Sequence, residues 1–278
     1  MKKPSLFVIF LTVFIDLIGF GMVLPLLPIY SKDFGASGWM IGLIIASFSA
    51  MQSLFAPAWG RLSDRIGRRP VLLVSTAGAS VSYALFAVAS SLGGNSALLL
   101  LLVSRVFAGI FGANITVAQA YIADITPPEQ RSAKMGLVGM AFGLGFIFGP
   151  ALGALSYKLL GLTGPGWVAA GLCALNFVLA LLILPESWRP SSEQVAGRPR
   201  LAQWAHTLAQ PNIGLLIAVF FLATFCFATF ETTLGLLISR NFHIDYQHDD
   251  HAKTLVGYLF AYCGVIGAFV QGGTIGRL

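Results

Sequence analysis

The sequence predicts an all-α protein that crosses a membrane several times, and two observations carry this prediction. Hydrophobic residues make up 56% of the 278 residues and charged residues only 10%, whereas a soluble domain carries roughly 25% charged residues. Apolar runs of about 20 residues recur along the chain, which is the length a helix needs to cross ~30 Å of hydrocarbon. Lipid offers no partners for backbone N–H and C=O groups, so these runs are expected to be helical.

Eight spans are expected, each bounded by charged residues or by Gly, Pro and Ser. The first run follows Lys2 and Lys3, as in a signal peptide, but it is longer than the ~7 to 15 apolar residues of a signal-peptide core. We therefore expect it to remain as the first span. The predicted spans are 5–30, 39–59, 70–92, 97–123, 134–158, 163–185, 212–239 and 254–278.

The basic residues predict the orientation. One side of the expected topology carries only Lys32, Lys158, Arg240 and Lys253, whereas most other Lys and Arg residues fall on the side of the amino terminus and the even-numbered loops. The positive-inside rule then places the amino terminus in the cytoplasm. We expect the chain to lie in the inner (plasma) membrane. This placement also explains the net charge of +6 without a nucleic-acid partner.

The domain organisation follows from the one long polar connection between spans, residues 186–211. We interpret it as a cytoplasmic linker between a six-helix bundle, 1–185, and a partial second bundle, 212–278.

A repeat supports this division. Asp16 in FIDLIGFG and Glu231 in TFETTLGL lie 215 residues apart, and GRL at 60–62 returns at 276–278. Spans seven and eight therefore look like copies of spans one and two. Because the copy stops there, we expect about four more helices in a complete protein, and we expect the 278-residue form alone to be unstable or inactive.

Residues 60–70 read GRLSDRIGRRP and are predicted to form a loop between spans two and three. Its glycines allow close helix approach and sharp turns, and its aspartate can pair with arginine. Asp124, near the end of span four, could join these arginines and latch an inner gate. The alternative for residues 60–70 is a short basic loop without a gating role, and the alternative for Asp124 is an ordinary surface salt bridge. The candidate gate residues are Gly60, Asp64, Arg65, Gly67, Arg68 and Asp124.

The same segment resembles the signature G-x-L-x-D-R-x-G-R-R of the major facilitator superfamily. Three further segments resemble its drug:proton antiporter branch: DLIGFGMVLPLLP from Asp16, the fourth span around Arg105, and GFIFGPALG from Gly145 to Gly153. The resemblance implies a major facilitator fold in which the substrate path lies between two bundles. GRRPVLLVS and LPES are similar to tetracycline efflux proteins. Those proteins are expected to carry an aspartate before a third-span tyrosine, whereas this sequence has Ser82 before Tyr83, which argues against tetracycline itself.

Three ionisable residues inside spans are candidates for proton coupling: Asp16, Arg105 and Glu231. An ionised carboxylate is costly in lipid, so Asp16 must line water, find a partner or be protonated, and such a balance can couple protons to transport. Glu231 holds the equivalent place in the repeat. The resemblance implies that Arg105 takes part in proton transfer. The alternative to a proton-coupling role is, for Asp16, an aspartate that packs between helices and hydrogen-bonds to backbone. For Arg105 it is a buried cation with a purely structural role.

Span five carries the small residues that the antiporter branch is thought to use to seal the outer side: Gly145, Gly149, Pro150 and Gly153. They permit close helix contact and a kink, and ordinary glycine packing explains them equally. Three amides, Gln52, Asn114 and Gln119, either line the substrate cavity or hydrogen-bond between helices.

No cofactor, metal or catalytic site is expected. One loop is rich in potential metal ligands, but we favour a solvated segment over a metal site there. Its residues are His243, Asp245, His248, Asp249, Asp250 and His251. No nucleophile and base pair, phosphate loop or HExxH sequence appears. The three cysteines are expected to be buried and to fill space between helices: Cys173, Cys226 and Cys263.

The expected function is export of small hydrophobic or amphiphilic compounds in exchange for protons, by a monomer in contact with lipid. The rivals are uptake of a sugar or organic acid, and a membrane sensor that has lost transport.

Overall fold

A computed structural model describes residues 5–188 and 210–241, together with 258–259, 262–263 and 265–266. Within these residues every regular element is a helix, which confirms the all-α prediction. A 3-10 turn, Pro128–Gln130, precedes the seventh helix. The helices are α1 Leu6–Val23, α2 Leu26–Asp33, α3 Gly38–Ile66, α4 Arg68–Ser91, α5 Gly94–Ile110, α6 Asn114–Ile125, α7 Arg131–Leu160, α8 Gly164–Ile183 and α9 Pro211–Asn241.

Seven helical segments in the described residues are long and apolar enough to cross a membrane, and they match the first seven predicted spans in order. Two of them, Leu6–Asp33 and Gly94–Ile125, each combine two consecutive helices. The predicted eighth span, 254–278, lies largely outside the described residues.

The first span is interrupted between α1 and α2, where Pro25 lacks the N–H that would continue the backbone ladder. The fourth span is interrupted between Ile110 and Asn114, and neighbouring side chains satisfy the freed backbone groups. Trp59 Nε1 donates to the Ile110 carbonyl at 2.6 Å and Gln52 Nε2 donates to the Gly112 carbonyl at 3.0 Å. Breaks of this kind are tolerated at membrane depth where protein groups replace the lost partners.

The prediction of a loop at residues 60–70 is wrong, because nearly all of this segment is helical. Helix α3 continues to Ile66 and α4 begins at Arg68, so Gly67 alone separates the two helices. Gly60, Asp64 and Arg65 are therefore helical, and the charged residues extend α3 beyond its apolar part. We call the end of the bundle that holds Asp64, Arg68, Asp124 and Glu186 the charged end.

Helix α1 lies at the centre of the bundle, against α7 on one side and α8 on the other. A Cβ atom added to Gly21 would lie 2.7 Å from the Gly145 carbonyl oxygen, and one on Gly149 would lie 2.7 Å from the Gly21 backbone. One on Gly153 would lie 3.0 Å from the Met22 carbonyl oxygen. The two backbones therefore touch, as the small residues of span five predict.

Helix α9 packs on α2 rather than deep in the bundle. Ile238 joins the buried cluster around α2, and the rings of Phe227 and Phe146 meet edge to face at 5.6 Å. Most other apolar side chains of α9 are exposed, including Cys226, so the expectation of a buried Cys226 is wrong. Cys263 is exposed as well, whereas Cys173 is buried.

Candidate functional site

A cavity of about 220 Å³ opens inside the bundle between α1, α3, α4, α5, α6 and α7. Its walls are mostly apolar and aromatic, and Asp16 is the one acidic residue among those that line it. The aromatic lining comes from four helices and from the break after α5: Phe20, Phe48, Tyr83, Phe111 and Phe142. A carboxylate in such surroundings is poorly hydrated and favours a polar or cationic partner.

Asp16 is partly buried on α1 and has two polar neighbours. The Cys173 thiol of α8 donates to Asp16 Oδ1 at 3.8 Å. The Asn114 side chain, at the first residue of α6, also forms a hydrogen bond with this carboxylate. Asn114 is 3% exposed and its Oδ1 has no hydrogen-bond partner among the described residues. That oxygen is therefore a buried acceptor beside Asp16 without a partner in the described ranges.

Two of the three predicted cavity amides line this space, and the third does not. Gln52 and Asn114 both face the cavity. Gln119 is exposed and absent from its lining. The helical period explains the difference, because five residues at ~100° each turn Gln119 by about 140° from the direction of Asn114.

Arg105 is buried on α5, with 2% of its surface exposed, and it forms no ion pair within the described residues. Its guanidinium Cζ lies 5.6 Å from the ring centre of Tyr83 and 5.7 Å from that of Phe86. These distances are those of cation–π contacts. Nε donates to Ser104 Oγ at 3.5 Å, while Nη2 lacks a partner in the described part of the chain. The structure thus separates Arg105 from Asp16, with Tyr83 as a shared neighbour.

The charged end is organised by Arg68, which is 8% exposed. Its Nη1 contacts Asp64 Oδ1 at 2.5 Å and donates to Ser63 Oγ at 2.7 Å, and its Nε donates to Asp124 Oδ2 at 3.0 Å. The expected contact between Asp124 and an arginine of the 60–70 segment is therefore present. One guanidinium joins α3, α4 and α6, which a single ammonium group could not do in this geometry.

Glu186 is part of this cluster, although its sequence surroundings do not mark it as a site residue. Its Oε1 accepts from the Arg68 backbone N–H at 2.9 Å, and its Oε2 accepts from the Arg69 N–H at 3.1 Å. Oε1 also accepts from the N–H groups of Ser187 at 2.9 Å and Trp188 at 3.0 Å. A carboxylate at the amino terminus of α4 satisfies donors that lack helical partners. The acidic residue of LPES was the available signal, but sequence alone could not show which helix it caps.

Gly67 has φ +103°, a conformation that favours glycine, and a Cβ there would collide with the Glu186 carboxylate. The signature glycine is thus needed for both the turn and the cap. By contrast, a Cβ on Gly60 would meet open space. Gly60 lines a shallow cleft beside Pro57 and Thr116, so close helix contact is not its role within the described residues. Arg65 is exposed.

The span-five motif meets α1 next to Asp16. A Cβ on Gly145 would lie 2.8 Å from Leu17 Cβ, and Gly149 and the buried Pro150 follow one turn later. The motif and the candidate proton site therefore share one helix interface.

Two expected sites fall on parts of the chain without structural description. Glu231 lies within α9, but its side chain is outside the described residues, as is the loop from His243 to His251. No group of three or more potential metal ligands occurs in the residues that the structure describes.

The sequence comparison identifies the family: the model of the Major Facilitator Superfamily matches residues 9–278. This chain belongs to the Major Facilitator Superfamily. Within the superfamily it is similar to bacterial drug-resistance proteins. It is 40% identical over 178 residues to the class E tetracycline resistance protein of Escherichia coli, and 38% identical over 228 residues to the class C protein of the same species.

These alignments include 63% and 80% of this chain, but only 42% and 55% of the two relatives. The chain thus spans about half the length of these relatives. Among solved structures, it resembles the human organic anion transporter MFSD10, with a TM-score of 0.70 and 26% identity over 98% of this chain and 72% of that one. The major facilitator fold predicted from the sequence is confirmed by the family match and by this structural likeness.

Proposed function

We propose that this chain forms the first bundle and part of the second bundle of a proton-coupled exporter of small hydrophobic or amphiphilic compounds. The observation that carries the proposal is the cavity in which Asp16 is the one acidic residue among aromatic walls. Aromatic surface suits flat apolar compounds, and a single carboxylate can take either a proton or a basic substrate. Competition between the two is sufficient for exchange.

Alternating access requires two gates. In our proposal the contacts of Arg68 with Asp64 and Asp124 close the charged end, which we place in the cytoplasm by the positive-inside rule. The close contact of α7 with α1 at Gly145 and Gly149 closes the other end. Protonation of Asp16 favours one state and substrate favours the other. Arg105 adjusts the protonation of the neighbouring acid, and Glu231 binds substrate or a proton in the second bundle.

Residues 186–211 connect the two bundles, although Glu186 and Ser187 already pack against the charged end. The transporter works as a monomer in the inner membrane and uses protons as its coupling ion.

A second candidate is export or uptake of organic anions, because the human structure that this chain resembles is an organic anion transporter. The cavity argues for neutral or cationic compounds, since Asp16 repels an anion and the buried Arg105 is absent from the lining. Discrimination between substrate charges is therefore the informative test.

The experiment uses the product of the complete gene in everted membrane vesicles. Proton release is followed after addition of ethidium, a quinolone, tetracycline or an organic anion such as fluorescein. We expect release with ethidium or the quinolone from wild-type vesicles and none from vesicles that carry Asp16→Asn. A response to fluorescein alone would favour the anion transporter. Well-folded protein without a response to any compound would contradict the exporter proposal.

A further inference from the structure

Tyr83 on α4 contacts Arg105 and lines the same cavity as Asp16. Asp16 and Arg105 form no ion pair in the described residues. The face of the Tyr83 ring lies 5.6 Å from the guanidinium of Arg105. Tyr83 is itself buried, with 5% of its surface exposed, yet it lines the cavity together with Asp16.

The edge of the same ring packs on α1 one turn beyond Asp16. A Cβ atom placed on Gly19 would lie 3.2 Å from Tyr83 Cε2 and 3.6 Å from Cζ, the carbon that bears the hydroxyl. The same Cβ would lie 3.4 Å from Cys173 Sγ, the atom that contacts Asp16 Oδ1 at 3.8 Å. The absence of a side chain at Gly19 is what lets the phenol and the thiol approach this turn of α1.

Few other ionisable groups face Asp16 from the helices packed against α1. Helix α8 contributes the Cys173 thiol and α4 contributes Tyr83, which interacts electrostatically with both Asp16 and Arg105. Helix α6 contributes the uncharged Asn114, and α7 faces this turn with Phe142 and glycines. The ionisable residues of α2 lie at the opposite end of the bundle from the charged end: Tyr30, Lys32 and Asp33.

We propose that Tyr83 is a positioning residue that connects Arg105 to Asp16, so that its ring holds the guanidinium and its hydroxyl favours the ionised carboxylate. The inference rests on the proposed role of Asp16 as the proton site. A neutral phenol contributes an O–H dipole without adding a charge, and such a dipole beside a carboxylate stabilises the anion. Arg105 retains its proton and supplies a fixed positive charge behind the ring.

The test replaces Tyr83 with phenylalanine, which keeps the ring and its contact with Arg105 but removes the hydroxyl. The protonation of Asp16 is titrated directly by infrared difference spectroscopy on the purified full-length protein in lipid, and Asp16→Asn identifies the carboxyl band. Within the described residues Asp16 has hydrogen bonds with Asn114 and Cys173 but none with Tyr83. The hydroxyl therefore acts as a nearby dipole, and we expect Tyr83→Phe to raise the titration midpoint by about half a pH unit, less than the loss of a direct hydrogen bond to a charged group would give.

Tyr30→Phe is the matched control. Tyr30 is also buried, its hydroxyl donates to the Leu162 carbonyl at 2.9 Å, and its ring stacks on Phe86 at 5.6 Å. Removal of this hydroxyl should leave the midpoint unchanged. An equal shift in both variants would overturn the inference, because it would indicate a general effect of lost buried hydroxyls.

Arg105→Lys provides a second, independent variant. It should also move the Asp16 midpoint, and in the Lys background the effect of Tyr83→Phe should shrink, since both changes act on one link. An unchanged midpoint in either single variant, or fully additive shifts, would overturn the inference. Proton release from everted vesicles separates the two proposals: a midpoint shift in a protein that exchanges no substrate would refute the exporter and leave the Tyr83 link standing.

Discussion

Replacement of Glu186 with alanine tests whether the charged end is held together by a helix cap as well as by ion pairs. The carboxylate accepts four backbone hydrogen bonds, two of them from Arg68 and Arg69 at the start of α4. Loss of an amino-terminal cap costs roughly 0.5 to 2 kcal/mol, and hydrogen bonds to a charged group cost somewhat more. We expect Glu186→Ala to lower the free energy of unfolding by about 2 kcal/mol.

Glu186→Gln divides this effect. An amide oxygen can still accept the three bonds at Oε1, but its NH₂ group would face the Arg69 N–H, so about half of the loss should remain. The assay is unfolding of the purified full-length protein in mixed micelles by added SDS, followed by tryptophan fluorescence. Glu129→Ala is the control, because Glu129 is exposed and forms no described hydrogen bond. A Glu186→Ala effect as small as that of Glu129→Ala would refute the capping argument.

Two further predictions concern the α1–α7 contact and the cavity. Gly149→Ala places a Cβ 2.7 Å from the Gly21 backbone, so it should destabilise the protein by about 1 to 3 kcal/mol. Gly139→Ala is the control, because its Cβ meets open space and the change should be neutral or slightly stabilising. Equal melting temperatures of the two variants would contradict this prediction. Gln52→Ala should raise the KM for ethidium severalfold in vesicle transport because Gln52 lines the cavity, while Gln119→Ala should not; equal effects would place the substrate elsewhere.

The sequence predicts the spans well because lipid imposes a strong rule, namely that long apolar runs must be helical. It does not predict the breaks at Pro25 and after Ile110, since both runs remain apolar throughout. The second break depends on Trp59 and Gln52, which are distant in sequence and supply the missing backbone partners. The sequence does not predict the extension of α3 to Ile66, because a charged segment after an apolar run is typical of a loop.

The candidate site was predicted in part. Asp16 and Arg68 stand out because charged residues are rare in this chain, and Asn114 because it is polar in an apolar run. The structure adds Tyr83, Cys173 and Glu186, whose sequence surroundings give no indication of what they contact. Helices α4 and α8 bring all three into place, and tertiary contacts of this kind are not encoded in local periodicity.

The most direct test of the account asks whether Asp16 carries the coupled proton. Purified full-length protein and its Asp16→Asn variant are reconstituted in liposomes. Two transport modes of ethidium are compared: accumulation driven by an imposed pH gradient, and exchange of labelled for unlabelled compound without a gradient. We expect the variant to lose the driven accumulation, whereas exchange should persist at higher ethidium concentrations, because the aromatic walls of the cavity still bind the compound. Driven accumulation at the wild-type level in Asp16→Asn would contradict it, because the coupling proton would then bind elsewhere.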